Sequence, residues 1–289
     1  MTILVGIPTY DDKVISGLAA ALMGELAQPE CPPYTVAFKQ ASLLAFGHNA
    51  LLVIALNNRP AITHLLLVHS DVVPEAGFIK QMLSDMEEAK ADLLGAILPI
   101  KDSKGLTSTA LLTDSHEIDQ LGRRDCRRRR LTIKESARLP DVFDCADLQK
   151  FFDDHSTKPA LLVNTGLLLI DVRKPWVEKC HFEINDDIFK NDDGLYYADV
   201  EPEDWHFARQ AAGQGARVCV TRRIKAQHIG RQNYPNGGGW GKWEHDENQT
   251  PLTVGAPAPV TSVIKQNGDG QHENTLSESL HEPRAPVGV

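Results

Sequence analysis

His64-Leu65-Leu66-Leu67-Val68-His69-Ser70-Asp71 is the stretch on which the fold turns. The apolar run is too short for a buried helix and is closed abruptly by polar residues, so it reads as a strand over 64–68. A strand apolar on both faces belongs to a parallel sheet covered by helices on each side. Working outward, apolar and β-branched runs at Ile3–Ile7, Thr35–Lys39 and Asp92–Leu98 predict further strands. Between them, helices are expected over Lys13–Ala27, Leu43–Asn57 and Pro74–Ala89, the last opened by Pro74 in its first turn. Such alternation is the pattern of βαβ units in an α/β domain.

Beyond this block, residues 101–159 are polar, charged and weakly periodic, and read as a long excursion with short helices rather than as core. Strands resume at Ala160–Val163 and Gly166–Val172, a helix runs from about Pro202 through Ala212, and a strand covers Ala216–Thr221. After about Thr250 the chain is rich in Pro, Gly, Ser, Asn and charge, too poor in large apolar residues to order itself alone.

At 289 residues the chain can bury a sizeable core without disulfides. Its five cysteines are odd in number, far apart and without a Cys-x-x-Cys pair, which argues against a disulfide framework or zinc cluster and for a reducing compartment. A net charge of −9 disfavours coating nucleic acid by bulk electrostatics. The start shows no secretory pattern, and no apolar stretch approaches the roughly 18 to 20 residues that cross a bilayer. A soluble, cytoplasmic protein without integral membrane association is the expectation.

In open α/β sheets ligands bind beyond the carboxyl ends of the strands, so polar residues that follow apolar runs carry the chemistry. Pro8-Thr9-Tyr10-Asp11 follows the first strand and suits a nucleotide base and ribose, or is an ordinary turn with Asp11 capping the next helix. His69 and Asp71, two apart in an extended segment, can face one side and hold a divalent cation against a diphosphate, or be a strand end and a helix cap. Glu203 and Asp204 begin the late helix, where acids favour the macrodipole and where one can serve as general base toward a hydroxyl. His228-Ile229-Gly230 follows the last strand and offers a second imidazole to the cation, or a structural histidine.

This ordered set resembles the GT-A glycosyltransferases, especially family 2 and its relatives, over roughly residues 1–230. The resemblance implies a GT-A type, Rossmann-like mixed sheet flanked by helices as one main α/β domain, with 231–289 as lid and C-terminal tail. It implies a metal-dependent transfer of a sugar from a nucleotide sugar, UDP- or GDP-linked, to an acceptor hydroxyl. His69-Ser70-Asp71 takes the place of the family's Asp-x-Asp motif. Asp71 would be the metal ligand, with His228 and His69, and Mn²⁺ is favoured over Mg²⁺ because it tolerates imidazole better. Asp204, beside Glu203, falls at the catalytic base of inverting members. In a retaining enzyme Asp204 would instead position the acceptor. Donor contacts are expected from Pro8, Thr9, Tyr10, His48, Asn49, His69, Ser70, Thr165 and Gly166, with Gly47-His48-Asn49 resembling an Ala-Arg-Asn element.

For the acceptor, Arg123 to Arg130 places six arginines in eight residues, which suits a polyanion such as DNA with hydroxylated bases, or an anionic glycan or lipid, or is a solvated loop. Arg127, Arg128, Arg129 and Arg130, with Trp205, Trp240 and Trp243, are the acceptor candidates. The last two indoles flank a glycine run that reads as a lid, or pack on the body. Two other readings stand: a catalytically silent nucleotide-sugar or glycan-binding module, and a nucleotidyltransferase. The latter calls for a Gly- and Lys/Arg-rich loop after the first strand, which Pro8 to Lys13 is not.

Overall fold

The computed structural model of the chain describes residues 2–28, 31–113, 128–190, 194–238 and 240–241. Strands β1 (Thr2–Thr9), β2 (Tyr34–Gln40), β3 (Ile62–Val68), β5 (Leu93–Ala96) and β13 (Val218–Thr221) run parallel. With β10 (Leu167–Asp171) and β8 (Val142–Asp144), both antiparallel to their neighbours, they form a seven-stranded mixed sheet of order β2-β1-β3-β10-β5-β13-β8.

Side chains of successive strand residues point to opposite faces, and both faces are covered. Leu4, Leu65, Leu67, Leu168 and Ile170 meet α2 (Leu44–Asn57) and α6 (Glu203–Gly213) in one core. Ile3, Val5, Ile7, Leu66, Val68 and Leu169 meet α1 (Ser16–Leu26) and α3 (Phe78–Ala89) in the other. Gly6 explains the close seat of α2, because a Cβ there would lie 3.1 Å from Leu51 and 3.2 Å from Leu65. The chain moves from β1 to β2 on one side and then crosses to β3 on the other, with α1 and α2 on opposite faces. That reversal of strand order falls at the carboxyl end of β1, the place where open α/β sheets bind ligands.

The four early strands lie where the sequence predicts them, with ends displaced by up to two residues. Pro74 does not open a helix. It ends a short strand, β4 (Val72–Pro74), and α3 starts at Phe78. Gly77, at φ 92°, turns the chain into α3, and the buried Glu25 of α1 accepts a hydrogen bond from the Gly77 N–H, a cap supplied across elements. Pro74 instead faces Ala226 in a three-stranded sheet with β14 (Ala226–Ile229) and β15 (Asn233–Pro235). The body therefore continues past residue 230.

The described residues of 101–159 do not form an excursion outside the core. Strands β6 (Leu106–Leu112) and β7 (Arg128–Thr132) pair with each other and with β9 (Ala160–Leu162). Short helices α4 (Ile133–Ser136) and α5 (Cys145–Phe152) follow capping boxes led by Thr132 and Asp144. Leu111, Leu131, Phe143 and Leu148 join the core under α6. An exposed hairpin, β11 (Asn185–Lys190) and β12 (Tyr196–Glu201), leads into α6. The four described cysteines are unpaired, and among the described residues no helix is long and apolar enough to cross a membrane. The region after Thr250 lies outside the described residues.

One aromatic stack anchors α6. Phe207 is fully buried, stacked on Phe182 at 4.1 Å and edge-on to Trp176 at 6.1 Å. Phe207→Ala should cost about 3–5 kcal/mol of unfolding free energy, measured by denaturant titration, because the cavity lies between helix and sheet where neither can collapse. A loss under about 1 kcal/mol would mean that α6 is held by other contacts.

Candidate active site

Asp71 stands in the turn after β3, where the Val72 N–H donates to the His69 carbonyl at 3.1 Å. β14 pairs with β4 so that His228 faces Val72, and the Ile229 N–H donates to the Asp71 carbonyl at 2.8 Å. This pairing delivers the His228 Nε2 to 3.5 Å from the Asp71 carboxylate. The ring's other nitrogen, Nδ1, lies 2.8 Å from the Pro99 carbonyl, which can only accept, so Nδ1 carries a proton. Nε2 is thus the nitrogen that faces Asp71.

A third group completes the cluster. The Lys101 ammonium contacts the Asp71 carboxylate directly. Burial alone would raise the Asp71 carboxyl, but hydrogen bonds and charge from His228 and Lys101 outweigh it and hold the group well below the usual carboxylate range. Lys101 was not among the candidates, although it follows the strand run ending at Leu98 and the strand-end rule covers it.

His69 departs from its expected place. Its Nε2 lies 3.0 Å from the Thr165 hydroxyl, and its backbone N–H donates to the Gly166 carbonyl at 3.0 Å. Residues 69–72 form a turn, so the extended geometry that would aim His69 and Asp71 the same way is absent there. Burial pushes His69 down to about 4, so it is neutral at physiological pH.

A divalent cation therefore does not fit these residues as expected. Asp71 and His228 supply two donor atoms of suitable chemistry, but one Asp71 oxygen already carries an ammonium. Placing an ion about 4 Å from that ammonium costs about 4 kcal/mol per unit of charge at an effective dielectric of about 20, doubled for a divalent ion. A donor set for such an ion exists elsewhere: His181, Glu183 and His206 bring ligand atoms within 4.8 Å of one another. There the Gln210 amide already lies against the His206 Nε2.

The other donor candidates divide. Thr9 and Pro8 end β1, and the exposed Tyr10 projects beyond it. The Ser70 carbonyl accepts from the Ile15 N–H at 3.1 Å, tying the β3 turn to α1. Thr165 and Gly166 precede β10, and a Cβ on Gly166 would fall 2.6 Å from Leu98. Asn49 is engaged by backbone. Its side-chain amide exchanges two hydrogen bonds with the Phe182 backbone, at 2.7 and 2.8 Å, stapling that segment to α2. His48 is fully buried, stacked on His69 at 5.6 Å and tilted against Phe182 at 5.0 Å, and has no surface for a base.

His48 nonetheless links the two halves of the site. Neither ring nitrogen has a hydrogen-bond partner, and burial holds its pKa well below the ordinary value. Its Nδ1 lies 3.9 Å from the Glu203 carboxylate at the start of α6. Glu203 is raised by burial. Asp204 is raised to about 7 by burial and by the neighbouring Glu203 charge, against the Trp205 N–H and Arg130, which favour the charged form. A carboxyl poised near neutrality suits proton transfer.

The acceptor candidates sit differently from expectation. Trp205 is buried against Ala110, Ala160 and Leu162, donates Nε1–H to the Ser108 carbonyl at 2.8 Å, and has Arg130 4.4 Å from its ring centroid. Arg128 donates to the Val200 carbonyl, Arg129 lies over Phe152 at 3.8 Å, and Arg130 donates to the Thr107 carbonyl. These three arginines belong to β7 and are committed to packing. Trp240 donates to the Pro235 carbonyl and leans on Tyr234. Arg127 and Trp243 lie outside the described residues.

No protein-family model matches the chain, and no curated protein does. Among solved structures it is similar to A197 from STIV, at 14% identity and a TM-score of 0.46, covering 85% of this chain and 99% of that one. It is also similar to residues 1–349 of TarS from S. aureus in complex with UDP-GlcNAc, at 14% identity and a TM-score of 0.40, covering 77% of this chain and 56% of that one. The same protein with UDP matches at 13% identity and a TM-score of 0.36, and the chain spans 58% of its length.

The raised Asp204 carboxyl has a consequence for stability. The folded chain holds this proton up to about pH 7, whereas the unfolded chain releases it near 3.8. Rising pH therefore withdraws stability between about 4 and 7 and leaves it level above. In Asp204→Asn this slope should be absent, so the variant's denaturation midpoint should gain on the parent's across that window. A constant difference from pH 4 to 8 would show that Asp204 titrates normally.

Proposed function

We propose that this chain is a nucleotide-sugar-dependent glycosyltransferase that moves a sugar from a nucleoside diphosphate to an acceptor hydroxyl. One observation carries the reading. A continuous run of contacts joins a charged cluster at the strand ends to an acidic helix start: Asp71 with Lys101 and His228, the neighbouring His69 on Thr165 and His48, and His48 on Glu203 beside Asp204. Transfer from a diphosphate needs both: positive charge where the diphosphate leaves and a base where the hydroxyl loses its proton.

In this reading the acceptor oxygen attacks the anomeric carbon as the bond from that carbon to the diphosphate oxygen breaks. The bonding pair departs with the nucleoside diphosphate, and the hydroxyl proton passes to the Asp204 carboxylate. Attack opposite the leaving group inverts the anomeric centre. Glu203 keeps Asp204 basic by repelling a second negative charge on the helix start. Thr9 and Tyr10, at the end of β1, lie at the reversal of strand order, where the nucleoside would be received. UDP- and GDP-sugars are the first donors to test.

The test is release of nucleoside diphosphate from a panel of nucleotide sugars, with and without hydroxyl acceptors. Asp204→Asn should lower kcat by about 10²–10⁴-fold with little change in donor KM, because a general base acts in the chemical step. Asp71→Ala should instead weaken donor binding by loosening Lys101. Normal turnover by both variants would sink the assignment.

A further inference from the structure

We infer that Lys101 stands in place of a divalent cation: its ammonium, positioned by Asp71, is the charge that the donor diphosphate meets, so donor binding requires no metal. The inference rests on the donor reading above and goes beyond it, since the resemblance implies a metal at Asp71.

Lys101 is held at both ends. Its stem lies against Gly230, where a Cβ would fall 3.0 Å from the lysine Cδ, so glycine at 230 leaves room for the side chain. Its head contacts the Asp71 carboxylate. The backbone beneath is a closed turn: the Asp102 N–H donates to the Ile100 carbonyl, the Ile100 N–H to the Leu106 carbonyl and the Lys104 N–H to the Asp102 carboxylate, each at 2.9 Å. The side chain is still 35% exposed, so ligand can reach it. An ammonium has three donors, and those not used by Asp71 remain for phosphate oxygens.

The remaining residues agree. Among the described residues, the protein's own donors beside Asp71 are few. His69, two residues away, spends its Nε2 on Thr165, and His228 offers one nitrogen. Asp71 is then a positioning residue. Its carboxylate is ionised by its partners and holds the ammonium over the strand ends.

Calorimetric titration of the full chain with UDP, GDP, CDP, ADP and dTDP, in EDTA and then in Mn²⁺, tests this, with the matching nucleosides as controls. Affinity for the preferred diphosphate should be the same within about twofold in the two buffers. Lys101→Met, which keeps the stem on Gly230, should weaken diphosphate binding about tenfold or more, the worth of one charge-assisted contact. Nucleoside binding should be unchanged, and Lys101→Arg should recover much of the loss. Diphosphate binding that appears only with Mn²⁺ would overturn the lysine proposal and leave the transferase reading intact, and this comparison needs only the unmodified chain. Lys101→Met binding diphosphate as tightly as the parent in EDTA would overturn it too. Binding of no nucleoside diphosphate in either buffer would overturn both readings.

Discussion

The backbone pairing of β14 with β4 is the constraint on which the site depends. Ala226 faces Pro74 and His228 faces Val72, so a residue more than 150 positions away in sequence lies beside Asp71 by hydrogen-bond register rather than by side-chain search. Asn236 secures the arrangement: its side chain accepts from the Ala226 N–H and donates to the Ile97 and Ile224 carbonyls. A slip of one residue would turn His228 to the opposite face. The cluster of Asp71, His228 and Lys101 is thus set by main-chain geometry before any ligand arrives, which is what preorganised electrostatics requires.

A second constraint runs through α6. The helix begins with acids, which the unpaired N–H groups of a first turn favour, yet it is buried deeply enough that those acids resist ionisation. What keeps them buried is the apolar side of the same helix, Phe207, Ala208 and Ala211, packed into the core beneath the sheet. Packing and chemistry are coupled here: loosening Phe207 would let water to the helix start and return Asp204 toward an ordinary carboxyl.

The parts legible in the sequence follow from the range of the interactions. The central strands show because a strand covered on both faces must be apolar along its buried length, and 3–7 and 65–68 are. β4 was missed because three residues carry no periodicity, and Pro74 then reads as a helix start when it is a strand end. β6 and β7 were missed because their buried positions include Thr107 and Thr109 and their arginines lie along packed aromatic rings. Composition registers those residues as polar, whereas the fold consumes their polarity internally. The site divides the same way. Asp71, His228 and Asp204 were visible as polar residues at strand ends and a helix start, but the turn that swings His69 onto Thr165 and the burial of His48 arise from tertiary contacts.

Three acids within four residues show how far environment decides role. Glu201 is grasped by the Arg209 guanidinium at 2.7 and 2.6 Å and by His206 at 3.0 Å; burial alone would raise it, but these partners win and keep it ionised. It is thereby fixed as a structural anion that ties the end of β12 to α6. Among the described residues Glu203 and Asp204 have no such bidentate partner; burial raises both, and for Asp204 the Glu203 charge adds to it. Of the two, Asp204 is set near neutrality, the value at which a carboxyl is both substantially ionised and basic enough to take a proton. Had Arg209 reached Asp204 instead of Glu201, the same sequence of acids would hold a salt bridge at the helix start and no carboxyl near neutrality. The separation of roles is therefore a matter of which carboxylate the arginine can reach from farther along the helix.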